Sequence, residues 1–409
     1  GAVYLAGTGE AWIAVGLLIG TILNWYIVSA RLRKYTIVAG NSLTIPSFFK
    51  NRYRDHKNII KIVSASIIAV FFTVYTASAF SSGAKLFATL FSDSASGDEN
   101  YNQVYVIGLI VAAVVILVYT FMGGFKAVCT TDLIQGLMMI VAILSVPVLA
   151  YAILTFDTSF SSALAAKGVE QPAQFLNFFV NGDGTPVSAV SIISNLAWGL
   201  GYFGMPHILL RFMAIENPDK VKVSRRVAEI WVVISMAVAV LIGVVGMAMI
   251  KEGALPEFKD SETVIVQIAN LLSKIGVVPA LLAGVILAGI LASTMSTADS
   301  QLLAASSAAS ENIIGGLFRI KLSETAQMIV ARVTLIAISV IGVVIAWDSN
   351  SSVFGIVSFA WAGFGAVFGP VMLLSLFWKR SNRYGALAGM IVGGVMVFVW
   401  KNAIAKLCL

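Results

Sequence analysis

Two stretches of this sequence hold residue types whose spacing could do chemistry. The first reads Asn195-Leu-Ala-Trp198-Gly199-Leu-Gly201-Tyr202-Phe-Gly204-Met-Pro206-His207. Pro206 donates no hydrogen bond, and its ring clashes with the carbonyl four residues back, that of Tyr202, so a helix opens there. The three glycines upstream weaken the same turns. On a regular helix Trp198 and Tyr202 share a face, with Pro206 four residues further along. Aromatic walls beside a loosened helix suit a small amphipathic ligand whose ammonium the freed carbonyls bind; a Pro-kinked packing helix with buried aromatics has the same signature. The second stretch ends Ser293-Thr-Met-Ser296-Thr297-Ala-Asp299-Ser300-Gln301. Ser293, Ser296 and Thr297 fall at i, i+3 and i+4, on one helix face. Hydroxyls and loosened carbonyls offer oxygen ligands at little net charge, which favours a monovalent cation over calcium. The alternative is that these hydroxyls bond back to their own helix. Asp299, one turn further on, stands at the mouth of an ion path or is a solvated interfacial carboxylate.

Other candidates are single residues. Asp132 stands where a helix is expected to start, and the macrodipole favours an acid there, so capping accounts for it. Tyr75 lies inside an apolar run, where its hydroxyl needs a partner, substrate or carbonyl. His56 sits in a basic loop, and His207 reads as structural. Two Cys and two His cannot assemble a zinc cluster. There is no G-x-x-x-x-G-K-[ST] loop for a nucleotide and no Gly-x-Ser-x-Gly elbow. An enzyme is not expected.

The elements that carry these residues follow from bulk composition. Of 409 residues, 59% are hydrophobic and 11% charged, and mean hydropathy is +0.92; a soluble domain carries roughly 25% charged residues. Apolar runs such as 107–117 and 230–250 are continuous rather than alternating. That pattern excludes barrel strands and leaves helices. Ten spans are predicted, at about 10–30, 59–82, 104–122, 133–155, 188–211, 226–250, 277–298, 327–347, 353–378 and 384–404. The expectation is one all-α polytopic membrane domain over 1–409, within the lipid bilayer of the inner or plasma membrane.

The net charge of +7 is an orientation signal and not a nucleic-acid footprint. Most of the 27 basic residues follow every second apolar run, above all in a basic loop at 31–58. The other side holds acidic, polar links, the longest at 156–187. The positive-inside rule makes the basic side cytoplasmic and both termini external. An external N-terminus implies a helix upstream of Gly1. Cys129 and Cys408 fall on opposite sides, so no disulfide is expected. No signature of oligomeric state is present.

The motifs converge on a family. Gly123-Gly124-Phe-Lys-Ala-Val-Cys-Thr-Thr131-Asp132-Leu-Ile-Gln135 and Met295-Ser296-Thr297-Ala-Asp299-Ser300-Gln301-Leu-Leu303 resemble the solute:sodium symporter family. Within it, Phe71-Phe-Thr-Val-Tyr75, the stretch from Trp198 through Pro206 and Ala360-Trp-Ala-Gly-Phe-Gly365 are similar to its proline-carrying members; sugar, pantothenate and sialic-acid relatives share the scaffold. The resemblance implies a LeuT-type fold with two five-helix inverted repeats, and sodium-coupled symport of proline by alternating access. It implies that Ser296 and Thr297 give side-chain oxygens to Na+ and Ser293 its backbone carbonyl. Tyr75, Trp198, Tyr202 and Pro206 would line the proline site, and Asp132 would sit on the inner sodium path. It also implies two helices ahead of Gly1, the second being the first of the core and supplying further ligands, so that this segment is not expected to transport alone.

Overall fold

A computed structural model of the chain describes residues 1–92, 99–122, 125–154, 175–251, 255, 260–310 and 323–405. Long apolar runs without interior backbone partners must bond within themselves, and they do so as helices. Among the described residues, nine helices are long and apolar enough to cross a membrane. In chain order the helices are α1 (Ala2–Ala6), α2 (Thr8–Val38, including a π-helical stretch at Asn24–Ser29), α3 (Ile45–Arg52), α4 (Ile59–Phe91), α5 (Glu99–Met122) and α6 (Phe125–Leu154). Then come α7 (Ala189–Leu196), α8 (Pro206–Ala214), α9 (Val221–Lys251), α10 (Val264–Ser273), α11 (Val277–Ser307), α12 (Glu324–Ile345), α13 (Val353–Phe377) and α14 (Arg383–Val399). The tenth expected span, the fifth in sequence, is α7 and α8 with a 3-10 segment, Ala197–Phe203, between them.

Several helices run past the expected boundaries. α4 continues to Phe91 and α11 to Ser307, because small and hydroxyl-bearing residues keep the helix going after the apolar run stops. α6 starts at Phe125, not near 133. The expected basic loop at 31–58 is largely helical, and its arginines are employed in packing. Arg33 Nη1 donates to the Met213 carbonyl at 2.7 Å and Arg52 Nε to the Ser375 carbonyl at 2.8 Å, satisfying helix C-terminal carbonyls that lack an intrahelical donor. Residues 156–174 of the expected external link, Gly123–Gly124 and Cys408 lie outside the described residues; Cys129 is a free thiol.

An aromatic-rich core joins α3, α4, α8 and α13 through Phe48, Phe49, Phe71, Phe72, Phe212, Phe364 and Phe368. A second core joins α1, α9, α10 and α11 through Tyr4, Val245, Ile268 and Ile286. Small residues let helices approach: a Cβ on Gly289 of α11 would stand 2.3 Å from the Ala142 Cβ of α6, the close contact that holds membrane helices together. Long-range polar bridges keep to one side each. Lys85, Asp260, Glu262 and Ser352 cluster at one end, and Arg52, Tyr53, Ser375 and Ser381 at the other.

Candidate functional site

The break in the fifth span comes from its sequence. With no N–H on Pro206, the α-helical ladder cannot continue through it. The chain instead tightens into the 3-10 segment and restarts as α8 with Pro206 in its first turn. At three residues per turn, Trp198 and Tyr202 do not share a face, contrary to the 3.6-residue expectation. Trp361 of α13 gathers them: its ring centroid is 6.3 Å from Trp198 and 5.1 Å, edge-on, from Tyr202. Its Nε1 donates to the Trp198 carbonyl at 2.8 Å. Gly201 makes this possible, since a Cβ there would stand 1.9 Å from Trp361 Nε1. The glycines of this stretch serve close approach.

Trp198, Gly201, Phe359, Trp361 and Trp400 line a groove of about 910 Å³, from which Tyr202 is absent. Tyr75 stands across the break, its ring 6.4 Å from His207 and its hydroxyl within electrostatic reach of Tyr202. Pro206 is buried. The four candidate substrate residues thus surround one helix break without lining one continuous wall. Trp361 belongs to the 360–365 stretch; its placement between two aromatics of another helix carries no local signal in the sequence.

The hydroxyl-rich turn of α11 forms as spaced. Thr297 Oγ1 donates to the Ser293 carbonyl at 2.9 Å and Ser296 Oγ to the same oxygen at 3.2 Å. Of the two readings of the spacing, back-bonding is the one the structure forms, and it gathers three oxygens within one turn. Each hydroxyl spends its proton on the carbonyl and retains its own lone pairs as acceptors. Such a set fits a small monovalent cation. Among the described residues there is no group of three His, Cys, Asp or Glu that could hold a metal ion.

One turn below, the structure departs from two expectations. Asp132 lies two turns inside α6, so it caps nothing; its carboxylate is paired with Arg211 of α8. Arg211 also donates to Ser300 Oγ at 2.9 Å. Asp299 is not solvated at all: it is fully buried. It accepts from Tyr119, whose hydroxyl is also 2.6 Å from Thr131 Oγ1, and from Ser300 Oγ at 3.2 Å. A polar chain therefore links α5, α6, α8 and α11 under the hydroxyl turn. Beside it a cavity of about 240 Å³ is lined by Cys129, His207, Arg211, Ser300 and Leu303. Arg211 follows His207 by one turn, which was the available signal for it.

At the end of the bundle away from Arg52 and Tyr53, Glu262 joins three elements. Lys85 donates to it at 2.7 Å, and it accepts from the backbone N–H of Val353 at 3.0 Å and Phe354 at 2.9 Å. Those amides open α13, where the helix dipole favours a carboxylate. Burial pushes the Glu262 carboxyl up, but the hydrogen bonds from Lys85 and the two amides outweigh it and leave it below the ordinary 4.5.

Known proteins are similar to this chain. A family model described as the Sodium:solute symporter family matches residues 1–393. The high-affinity proline transporter PutP of Bacillus subtilis is 40% identical over 403 residues, covering 98% of this chain and 80% of that protein. The sodium/proline symporter of Haemophilus influenzae is 40% identical over 417 residues, covering 99% and 77%. Among solved structures, a substrate-bound, outward-open Na+-coupled sialic acid symporter superposes with a TM-score of 0.65 at 17% identity, covering 97% of this chain and 84% of that one. The last shows the fold, an all-helical LeuT-type bundle. Together with the spans, the family match makes this a multi-pass membrane protein: the chain belongs to the sodium:solute symporter family.

Proposed function

We propose that the transporter this chain belongs to carries L-proline together with Na+ into the cell, as a secondary active transporter and not an enzyme. The observation that carries the solute is the identity, near 40% over almost the whole chain, to proteins named for proline. The geometry supports it. A cyclic secondary amine with a carboxylate is small and amphipathic, and the aromatic set of Trp198, Tyr202 and Trp361 beside the broken helix suits its ring. Tyr75 and Pro206 complete that site. Ser293 gives its carbonyl, and Ser296 and Thr297 their hydroxyl oxygens, to Na+. Asp132 lies on the ion's inner path.

Sodium arriving from outside occupies the hydroxyl turn and favours the outward-open state; proline then binds and inward opening releases both. Coupling needs only that each ligand favours the same conformation, by about 1–3 kcal/mol. The membrane potential adds about 2.3 kcal/mol per charge per 100 mV. Equilibrium binding of labelled proline to the purified intact transporter tests the reading. Binding that tightens at least tenfold when sodium replaces choline is expected. Binding of a sugar or of sialic acid in its place would assign a different solute, and sodium-independent binding would remove the ion from the scheme.

A further inference from the structure

We infer that Asn24 is a positioning residue for the substrate site: its carboxamide takes the carbonyl that Pro206 orphans, and α2 thereby splints the broken fifth span. The inference deepens the proline reading, and rests on it for the substrate whose affinity it controls.

The carbonyl of Tyr202 is the one that an N–H at position 206 would have reached in an α-helix, and proline has none. Asn24 Nδ2 donates to that oxygen at 3.0 Å. Asn24 is 1% exposed, so water does not serve in its place. The orientation of the amide is fixed by the contact itself. Turned over, Oδ1 would face the Tyr202 carbonyl, two acceptors without a proton between them. Oδ1 instead points to a buried position with no partner of its own.

The local structure of α2 is built for this reach. Asn24 opens the π-helical stretch Asn24–Ser29, and single π turns inside helices cluster at functional positions. One turn earlier the two backbones touch: a Cβ on Gly20 would stand 2.2 Å from the Gly199 carbonyl. A short side chain therefore spans the gap. Further down the same span, Arg33 holds the Met213 carbonyl at 2.7 Å, at the far end of α8. One continuous helix thus grips both halves of the discontinuous one, above the break through Asn24 and below it through Arg33. The aromatics on the upper half, Trp198 and Tyr202, keep their places around Trp361 only while that upper grip holds. The hydroxyl turn of α11 shares no contact with Asn24, so sodium is not touched directly.

The test uses Asn24→Asp, which keeps the shape and removes the N–H, and Asn24→Ala, which removes the group. Hydrogen–deuterium exchange is read over residues 198–205 in the purified intact transporter, with no substrate added. Both variants should exchange there at least fivefold faster than the wild type. The proline dissociation constant should rise at least tenfold, with half-saturating sodium held within threefold. Unchanged exchange in whichever variant folds, or a proline dissociation constant within twofold of the wild type, overturns the inference. Faster exchange in a protein whose wild type binds no proline would overturn the solute reading and leave the splint standing.

Discussion

Thr297 and Ser293 are joined through a hydroxyl-to-carbonyl bond of 2.9 Å, and Ser296 shares the same acceptor at 3.2 Å. The turn so formed is neutral and rich in oxygen, and it lies directly above the buried carboxylate of Asp299. On the reading proposed above, a sodium ion there would exchange its water for preset oxygen ligands. Thr297→Ala removes one hydroxyl and should raise half-saturating sodium at least tenfold while membrane expression stays intact. Sodium titration of proline uptake measures this; an unchanged half-saturation removes Thr297 from the ion site.

Trp361 joins the two aromatics that the 3-10 segment turns apart. Trp361→Ala should weaken proline about tenfold, equivalent to ~1.4 kcal/mol, because both the ring packing and the bond to the Trp198 carbonyl go. Trp198→Ala should act in the same direction, and sodium affinity should move less in both. Competition binding at saturating sodium reads the change. Equal proline affinity in the two variants and the wild type would refute the aromatic site.

Asp132 and Arg211 form a partly buried ion pair. Neutralising one member leaves the other without its partner, and a lost hydrogen bond to a charged group costs about 1.5–3 kcal/mol. Arg211 is partly exposed, its side chain 39% accessible, and screening puts the cost at the low end of that range. Asp132→Asn and Arg211→Gln should each lower the unfolding temperature in detergent. The double variant should recover at least half of the summed loss. Additive losses would show that the pair does not act as a unit.

Glu262 ties α4 to the start of α13. Its carboxyl lies below the ordinary 4.5 in the folded protein, so its contribution is complete above that value and disappears as pH falls through the lower folded one. Glu262→Gln should lower thermal stability at pH 7 by about 1–2 kcal/mol, since Lys85 retains Asp260 at 2.7 Å. The difference between variant and wild type should shrink toward zero in strong acid. A difference independent of pH would assign the loss to packing.

Much of this was legible in the sequence. Continuous apolar runs gave the spans, since hydrocarbon thickness sets how many apolar residues a helix needs. The break at Pro206 and the grouping of Ser293, Ser296 and Thr297 are local, and the structure forms both. What failed were inferences needing a neighbour or a helix start. Asp132 read as a cap because its helix was expected to begin near it; the helix starts two turns earlier, and the partner, Arg211, is 79 positions away. Of the two readings of Asp299, the solvated one falls, because nothing nearby in sequence announces Tyr119. Trp198 and Tyr202 were placed on one face by a period that holds for an α-helix and not for the tighter segment they occupy. The arginines of the 31–58 stretch read as topology signals, and their carbonyl partners lie up to 345 positions away in sequence.

Sodium dependence of solute accumulation is the direct test of the whole scheme. Proteoliposomes holding the intact transporter are given labelled proline under an inward sodium gradient, and in parallel under choline at the same pH and potential. Accumulation above equilibrium with sodium and none with choline is the expected result; equal accumulation in both would contradict the coupling of Na+ at Ser296 and Thr297 to proline at the broken helix.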